Sequence, residues 1–348
     1  MAPTRQTIET LDLHSGGEPL RLITSGYPPI PDAPILERRR WVRENADHVR
    51  RIAMFEPRGH RDMYGAVLLP AHRDDADLAV LFMHNQGYST MCGHGTIALG
   101  AALVEEGLFP ATQPETVIRF ETPAGLVTAR IETRRTESGS FEAGLVRFTN
   151  VPSYLAARDI AVHPHGLPEL RVDIAFGGAY YGIVDAKELG LRVEPSQTDA
   201  FTRAGAAITE LLRRDHTPTH PSEPDLGFVY GTIVVERDPL SIGEGQRPDA
   251  DWRNVTIFAE AEVDRSPCGS GTSALLAQAG ARGSLALGDE IRNASLTGAV
   301  FLGRLDERTT LGPHEAFVTS VAGQGYVTGR STFVVDERDP LGEGFLLR

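Results

Sequence analysis

Two short segments of this chain are near copies of one another, and each holds one of its only two cysteines. Cys92-Gly93-His94-Gly95-Thr96 runs on into Ile97-Ala98-Leu99, and Cys268-Gly269-Ser270-Gly271-Thr272 runs on into Ser273-Ala274-Leu275. The copies stand about half a chain apart in 348 residues, at similar depth in each half. A repeat so placed predicts two similar lobes, each of ordinary domain size and each presenting one thiol. Two thiols facing a shared cleft predict a particular chemistry. One removes a proton from carbon while the other supplies one from the opposite side.

The stretches around the cysteines alternate between short β-type runs and turns. Strands are expected at Ile8–Leu13, Leu20–Thr24, Val67–Leu69, Leu78–Met83, Val117–Phe120, Gly125–Glu132 and Gly144–Phe148. The second half repeats the style at 170–176, 180–184, 228–235, 254–258, 299–302, 315–321 and 326–335. Helices are expected from Pro34 to about Asp47, after the Gly93 and Gly95 turn, near Phe201–Arg213 and over Thr272–Ala281. Many strands around one central helix per half make an α+β fold rich in antiparallel pairing. Regular βαβ alternation is missing, which argues against a Rossmann fold. The segment Asn150-Val151-Pro152-Ser153-Tyr154 is the best boundary, giving a first lobe at 1–150 with Cys92 and a second at 151–348 with Cys268.

A cysteine just before a glycine turn and a helix start lies beside unpaired backbone N–H groups and the positive helix end. That environment favours thiolate over a free thiol of pKa about 8.5. The same amides, from Gly93, His94, Gly269 and Ser270, are suited to a carboxylate and to charge that develops on it. His94 and Asp264 crowd the two motifs, and Pro267 fixes the approach to the second. Either side chain suits an amino or imino group, or else a structural hydrogen bond or cap. His14-Ser15-Gly16-Gly17-Glu18 and Glu56-Pro57-Arg58-Gly59-His60 are polar glycine turns that line the cleft or buttress it.

Other chemistries fit less well. The Gly-x-Gly fragments lack the lysine of a phosphate loop. Cysteine-protease chemistry does not need a second matching thiol. Neither cysteine has a Cys-x2-Cys partner, so zinc is not expected, and a single Cys92–Cys268 disulfide is a minor alternative. A net charge of −13 disfavours nucleic acid and anionic membranes while leaving room for a small carboxylate substrate. No window approaches the roughly 18 apolar residues of a membrane span. No apolar export segment opens the chain, so the cytosol, where thiols stay reduced, is the expected location.

The chain resembles the proline racemase family. HSGGEP at 14–19, EPRGH at 56–60, MCGHGTIALG at 91–100, YGTI at 230–233 and DRSPCGSGTSA at 264–274 carry the resemblance in order along nearly the whole chain. It implies a two-lobed, diaminopimelate-epimerase-like fold with the active site in the interlobe cleft, no cofactor or metal, a homodimer, and a last strand able to return to the first lobe. It also implies Cys92 and Cys268 as catalytic residues and the amides of Gly93, His94, Gly269 and Ser270 as the carboxylate site. His94 and Asp264 are expected near the substrate nitrogen. Members divide into proline racemases, 4-hydroxyproline 2-epimerases and trans-3-hydroxy-L-proline dehydratases, the last typically with threonine for the second cysteine. Retention of Cys268 makes inversion at Cα of proline or hydroxyproline the leading expectation, as a proline racemase or 4-hydroxyproline 2-epimerase. Phe82–Met91 and Arg61–Ala66 resemble the dehydratase branch, so dehydration of trans-3-hydroxy-L-proline is the alternative. A noncatalytic amino-acid-binding protein is a third and weaker reading.

Overall fold

The computed structural model describes residues 5–237 and 250–347. The chain divides into two compact units, one of residues 1–146 with 324–348 and the other of residues 147–323. Among the described residues no helix is long and apolar enough to cross a membrane.

The first unit contains β1 (Arg5–Ser15), β2 (Glu18–Ser25), α1 (Ile35–Asn45), α2 (Asp47–Met54), β3 (Tyr64–Pro70), β4 (Leu78–His84) and the short β5 (Gly87–Tyr88). It continues with α3 (Gly93–Glu105), β6 (Glu115–Thr122) and β7 (Gly125–Arg135), and β8 (Phe141–Thr149) runs across the division. The second unit holds β9 (Tyr154–Val162), β10 (Leu170–Phe176), β11 (Tyr180–Asp185), α4 (Thr198–Asp215), β12 (Val229–Arg237) and β13 (Trp252–Phe258). After these come β14 (Glu262–Val263), α5 (Gly269–Ala281), β15 (Glu290–Ala294), β16 (Val300–Leu311) and β17 (His314–Gly323). The final strand, β18 (Gly325–Asp336), belongs to the first unit.

The two units repeat one topology. In the first, strands run in the order β18-β1-β2-β3-β4-β6-β7, with β2–β3 and β4–β6 parallel and the other pairs antiparallel. In the second the order is β9-β10-β11-β12-β13-β15-β16-β17, with β11–β12 and β13–β15 parallel in the corresponding places. Each parallel pair needs a crossover, and helices supply all four: α1 with α2, α3, α4 and α5. The duplication therefore extends well beyond the cysteine motifs. It includes Tyr64-Gly65 and Tyr230-Gly231, with Gly65 opposite Arg21 and Gly231 opposite Tyr181.

The central helices differ from the others in being buried on every side. All residues from Gly93 to Val104 of α3 and from Gly269 to Ala279 of α5 are buried. Their sequences explain this, since α5 has no charged residue and α3 has none before Glu105. Small residues let the strands come close. A Cβ on Gly325 at the start of β18 would lie 2.7 Å from Ala98 Cα and 2.9 Å from the Ile97 carbonyl oxygen. The crossover α1–α2 packs outside the sheet, with Val42, Val49, Ile52 and Met54 against Ile8, Ile23, Leu81 and Met83.

The region after Asn150 enters β9 within a few residues, close to the division between the two units. The structure departs from expectation in two places. One helix was expected over 34–47, but a second, α2, follows at once. Both central helices start at the first glycine after cysteine rather than beyond the glycine turn, because each cysteine sulfur caps the first turn and holds the glycines in it. The segment Glu56–His60 is a buttress within the first unit. Glu56 bridges Phe345, the Arg58 guanidinium donates to the carbonyls of Gly342 and Val334, and Asn85 Nδ2 donates to the His60 carbonyl.

The close approach at Gly325 gives a direct test on one strand. Gly325→Ala is expected to cost about 2–3 kcal/mol in urea unfolding, because backbone atoms of α3 must move. Gly329→Ala, four residues further along where nothing lies within 4 Å of the added carbon, is expected to change stability by less than about 0.5 kcal/mol.

Candidate active site

In the first unit Cys92 caps α3 from an extended backbone (φ −142°, ψ 114°). Its Sγ accepts the Gly95 amide at 3.2 Å and lies 3.3 Å from His94 Nδ1. The Thr96 hydroxyl donates to the Cys92 carbonyl at 2.7 Å and closes the turn. The sulfur therefore sits between a main-chain donor and an imidazole at a positive helix end, contacts that stabilise negative charge on it. His94 is fixed in turn by Tyr64, whose ring meets it edge-on at 4.9 Å and whose hydroxyl is 2.6 Å from Ser89 Oγ. Phe82 packs under the turn, so that a Cβ on Gly95 would come within 2.6 Å of its ring.

In the second unit Cys268 caps α5 in the same way, with Sγ accepting the Gly271 amide at 3.3 Å. Its backbone differs. Cys268 has φ 58° and ψ 100°, a conformation that costs a non-glycine residue about 1–3 kcal/mol and persists only where its surroundings enforce it. The enforcing groups converge on the preceding residue. Asn254 Nδ2, the Thr272 hydroxyl and Asn293 Nδ2 all donate to the Pro267 carbonyl, at 2.9, 3.1 and 3.4 Å. The Cys268 amide donates to Ser266 Oγ at 3.1 Å, and Ser266 donates through both its amide and its hydroxyl to Asp264 Oδ1.

Asp264 and Cys268 are both buried. Burial pushes the Asp264 carboxyl from 3.8 up to about 6, and its bonds from Ser266 offset this only in part. Burial likewise raises the Cys268 thiol well above its ordinary range, and the negative Asp264 adds to the shift. The Thr256 side chain and the Gly271 amide oppose it. At neutral pH Cys268 therefore carries its proton. Both cysteines are free thiols.

Every residue expected to be catalytic or to bind substrate lies in one of these two clusters, with Cys92, Gly93 and His94 in the first and Asp264, Cys268, Gly269 and Ser270 in the second. The sequence reading missed Tyr64, Ser89, Tyr181 and Thr256, which come to the cysteines from neighbouring strands or loops. The repeated Tyr-Gly at 64–65 and 230–231 was a signal for Tyr64. Nothing local marked Tyr181 or Thr256. Phe82 and Phe258 are buried, and Phe258 stacks on Tyr230 at 5.4 Å. Tyr88 is buried as well. The Gly16-Gly17 turn joins β1 to β2, with the Gly17 amide donating to His14 Nδ1 at 3.3 Å. Among the described residues no group of three His, Cys, Asp or Glu is placed to hold a metal ion.

Comparison with known proteins agrees with this duplicated arrangement of strands and helix-capping cysteines. The family model described as proline racemase matches residues 10–346. A trans-L-3-hydroxyproline dehydratase of Xenopus tropicalis is 44% identical over 98% of this chain and 95% of its own length. A 3-hydroxyproline 2-epimerase of Burkholderia multivorans is 42% identical over 99% of both. Among solved structures, a hydroxyproline epimerase from Agrobacterium vitis with bound trans-4-hydroxy-L-proline superposes with a TM-score of 0.88 at 31% identity, covering 98% of this chain and 96% of that one. The chain belongs to the proline racemase family, whose relatives here are isomerases and hydro-lyases acting on hydroxyprolines.

The burial of Asp264 has a measurable effect on stability. A carboxyl whose folded pKa is raised binds its proton more tightly in the folded than in the unfolded state. Stability from this group is therefore greatest below about pH 4 and falls as pH rises through about 6. A shift of about two units corresponds to about 3 kcal/mol lost by pH 8. Asp264→Asn keeps an oxygen acceptor for Ser266 and removes the charge. Urea unfolding is expected to show the variant more stable than the parent at pH 8 by about 2–3 kcal/mol and close to it at pH 4.

Proposed function

We propose that this protein is a cofactor-independent 2-epimerase of 3-hydroxyproline, in which Cys92 and Cys268 exchange protons at Cα from opposite faces. The single observation that supports it best is the second thiol. Cys268 occupies the place in its unit that Cys92 occupies in the other, with the sulfur receiving an amide from the third residue beyond at 3.3 Å against 3.2 Å. A dehydratase needs one base at Cα, whereas inversion needs an acid on the far side as well. The substrate assignment follows the relatives that are 42–44% identical, both named for proline hydroxylated at C3. It moves the expectation away from 4-hydroxyproline and proline.

In this reading Cys92 enters as thiolate and Cys268, whose proton is held by burial and by Asp264, enters as thiol. The Cα–H bond breaks, its proton passes to Cys92, and its electron pair spreads into the substrate carboxylate. The first-turn amides of Gly93, His94, Gly269 and Ser270 stabilise that charge, and no other electron sink is invoked. Cys268 then delivers its proton to the opposite face. The enzyme is left with thiol at Cys92 and thiolate at Cys268, ready for the reverse reaction. Asp264 and His94 take the substrate nitrogen. A homodimer and a reducing, cytoplasmic setting belong to the same proposal, since two buried bases of this kind must remain free thiols.

The second reading is dehydration, favoured by the name of the Xenopus tropicalis relative. Cys92 would again take the α-proton, but the C3 hydroxyl would leave as water after protonation, giving an enamine that tautomerises to a cyclic imine. A chiral assay run beside an imine trap separates the two. Epimerisation of trans-3-hydroxy-L-proline without imine is the expected result, and imine formation without inversion would refute it. In deuterium oxide, solvent deuterium is expected at Cα of the product. Cys92→Ser and Cys268→Ser are each expected to lower the epimerisation rate by at least a thousandfold, and full activity in Cys268→Ser would remove the second base from the mechanism.

A further inference from the structure

A base that must act in both directions has to be at ease as thiol and as thiolate, which asks for a neighbour able both to accept and to donate a hydrogen bond. At Cys92 the residue two places on, His94, brings an imidazole nitrogen to 3.3 Å from Sγ. The same motif position beyond Cys268 is Ser270, whose short side chain leaves Oγ 3.9 Å from the sulfur. A second hydroxyl stands beside it. Tyr181 Oη, from β11, is 3.9 Å from Cys268 Sγ and 2.8 Å from Ser270 Oγ.

We propose that Tyr181, working with Ser270, is the positioning residue of the second cysteine and stands in for the imidazole that His94 provides to the first. With Cys268 as thiol, S–H donates to Tyr181 Oη and the phenol O–H donates to Ser270 Oγ. With Cys268 as thiolate, Ser270 O–H donates to Tyr181 Oη and the phenol O–H turns to the sulfur. Both states satisfy the same three groups, and only hydroxyl hydrogens rotate. Tyr181 is 1% exposed, so water does not compete for its hydroxyl. Burial and the nearby sulfur both hold the phenol protonated, as a donor must be. The other groups facing the sulfur are the Gly271 amide, Thr256 and Asp264. The amide only donates and Asp264 repels the thiolate, while Thr256 adds a further hydroxyl that lowers the cost of the thiolate.

The inference rests on the proposed acid–base role of Cys268, but its test does not. In a Cys92→Ser background, carbamidomethylation of Cys268 by iodoacetamide, followed by intact-protein mass spectrometry, reports how readily that sulfur becomes thiolate. Adding Tyr181→Phe is expected to slow alkylation at least fivefold at each pH between about 7 and 10, and adding Ser270→Ala to slow it twofold or more. A tyrosine that only fills space predicts the opposite, since loosened packing exposes the thiol and speeds alkylation. Unchanged or faster alkylation in both variants would overturn the assignment. In the parent background, Tyr181→Phe is expected to lower the epimerisation kcat at least tenfold. Slowed alkylation in an enzyme that never exchanges the substrate α-hydrogen would leave Tyr181 in its place and refute the epimerase reading instead.

Discussion

The buried sulfur-capped helix start is the interaction on which each unit depends. A helix enclosed by a sheet on every side can satisfy its interior amides within itself, but its first-turn N–H groups need other acceptors. In α3 and α5 the cysteine sulfur takes one such amide, and the remaining first-turn donors face the same end. One physical requirement thus produces both the fold's central element and a site suited to an anion. The absence of charge along both helices, which makes that burial possible, also leaves the N-terminal dipole without a neighbouring carboxylate in the first turn.

The two halves use this shared device with different chemistry. Cys92 is extended, bonded to an amide and beside an imidazole. Cys268 is held at positive φ, beside hydroxyl groups and Asp264. Those surroundings hold the proton on Cys268, while Cys92 lies between an amide donor and an imidazole, so a repeated motif gives the two sulfurs unlike surroundings. The strain at Cys268 is matched by three donors on the Pro267 carbonyl, which gives Asn254 and Asn293 a role that neither their type nor their position announces.

The comparisons and the geometry bear on different questions. Relatives at more than 40% identity place the chain in its family and carry the names of two reaction classes, each on a hydroxyproline. In the proposed mechanism the choice between those classes turns on one side chain, since a proton acceptor at Cα is common to both and a donor on the far face belongs to inversion.

The sequence by itself determined the duplication, the α+β class, the central helices and the identity of both thiols with their flanking glycines. These are local properties: a repeated pentapeptide, a charge-free run of helix length and alternating strands need only neighbouring residues to be recognised. Even the helix starts were nearly legible, missed by a few residues because a cysteine is not a usual N-cap. Tertiary structure decided what surrounds each sulfur. Tyr181 lies far from Cys268 in sequence and reaches it only through the β11–β12 pairing and the packing of α5. Glu56–His60 looked equally suited to a site or a support until the C-terminal segment was seen to bond to it. The proton affinity of Asp264 could not be read from its type or spacing, because it comes from burial, and burial is a property of everything packed around a residue.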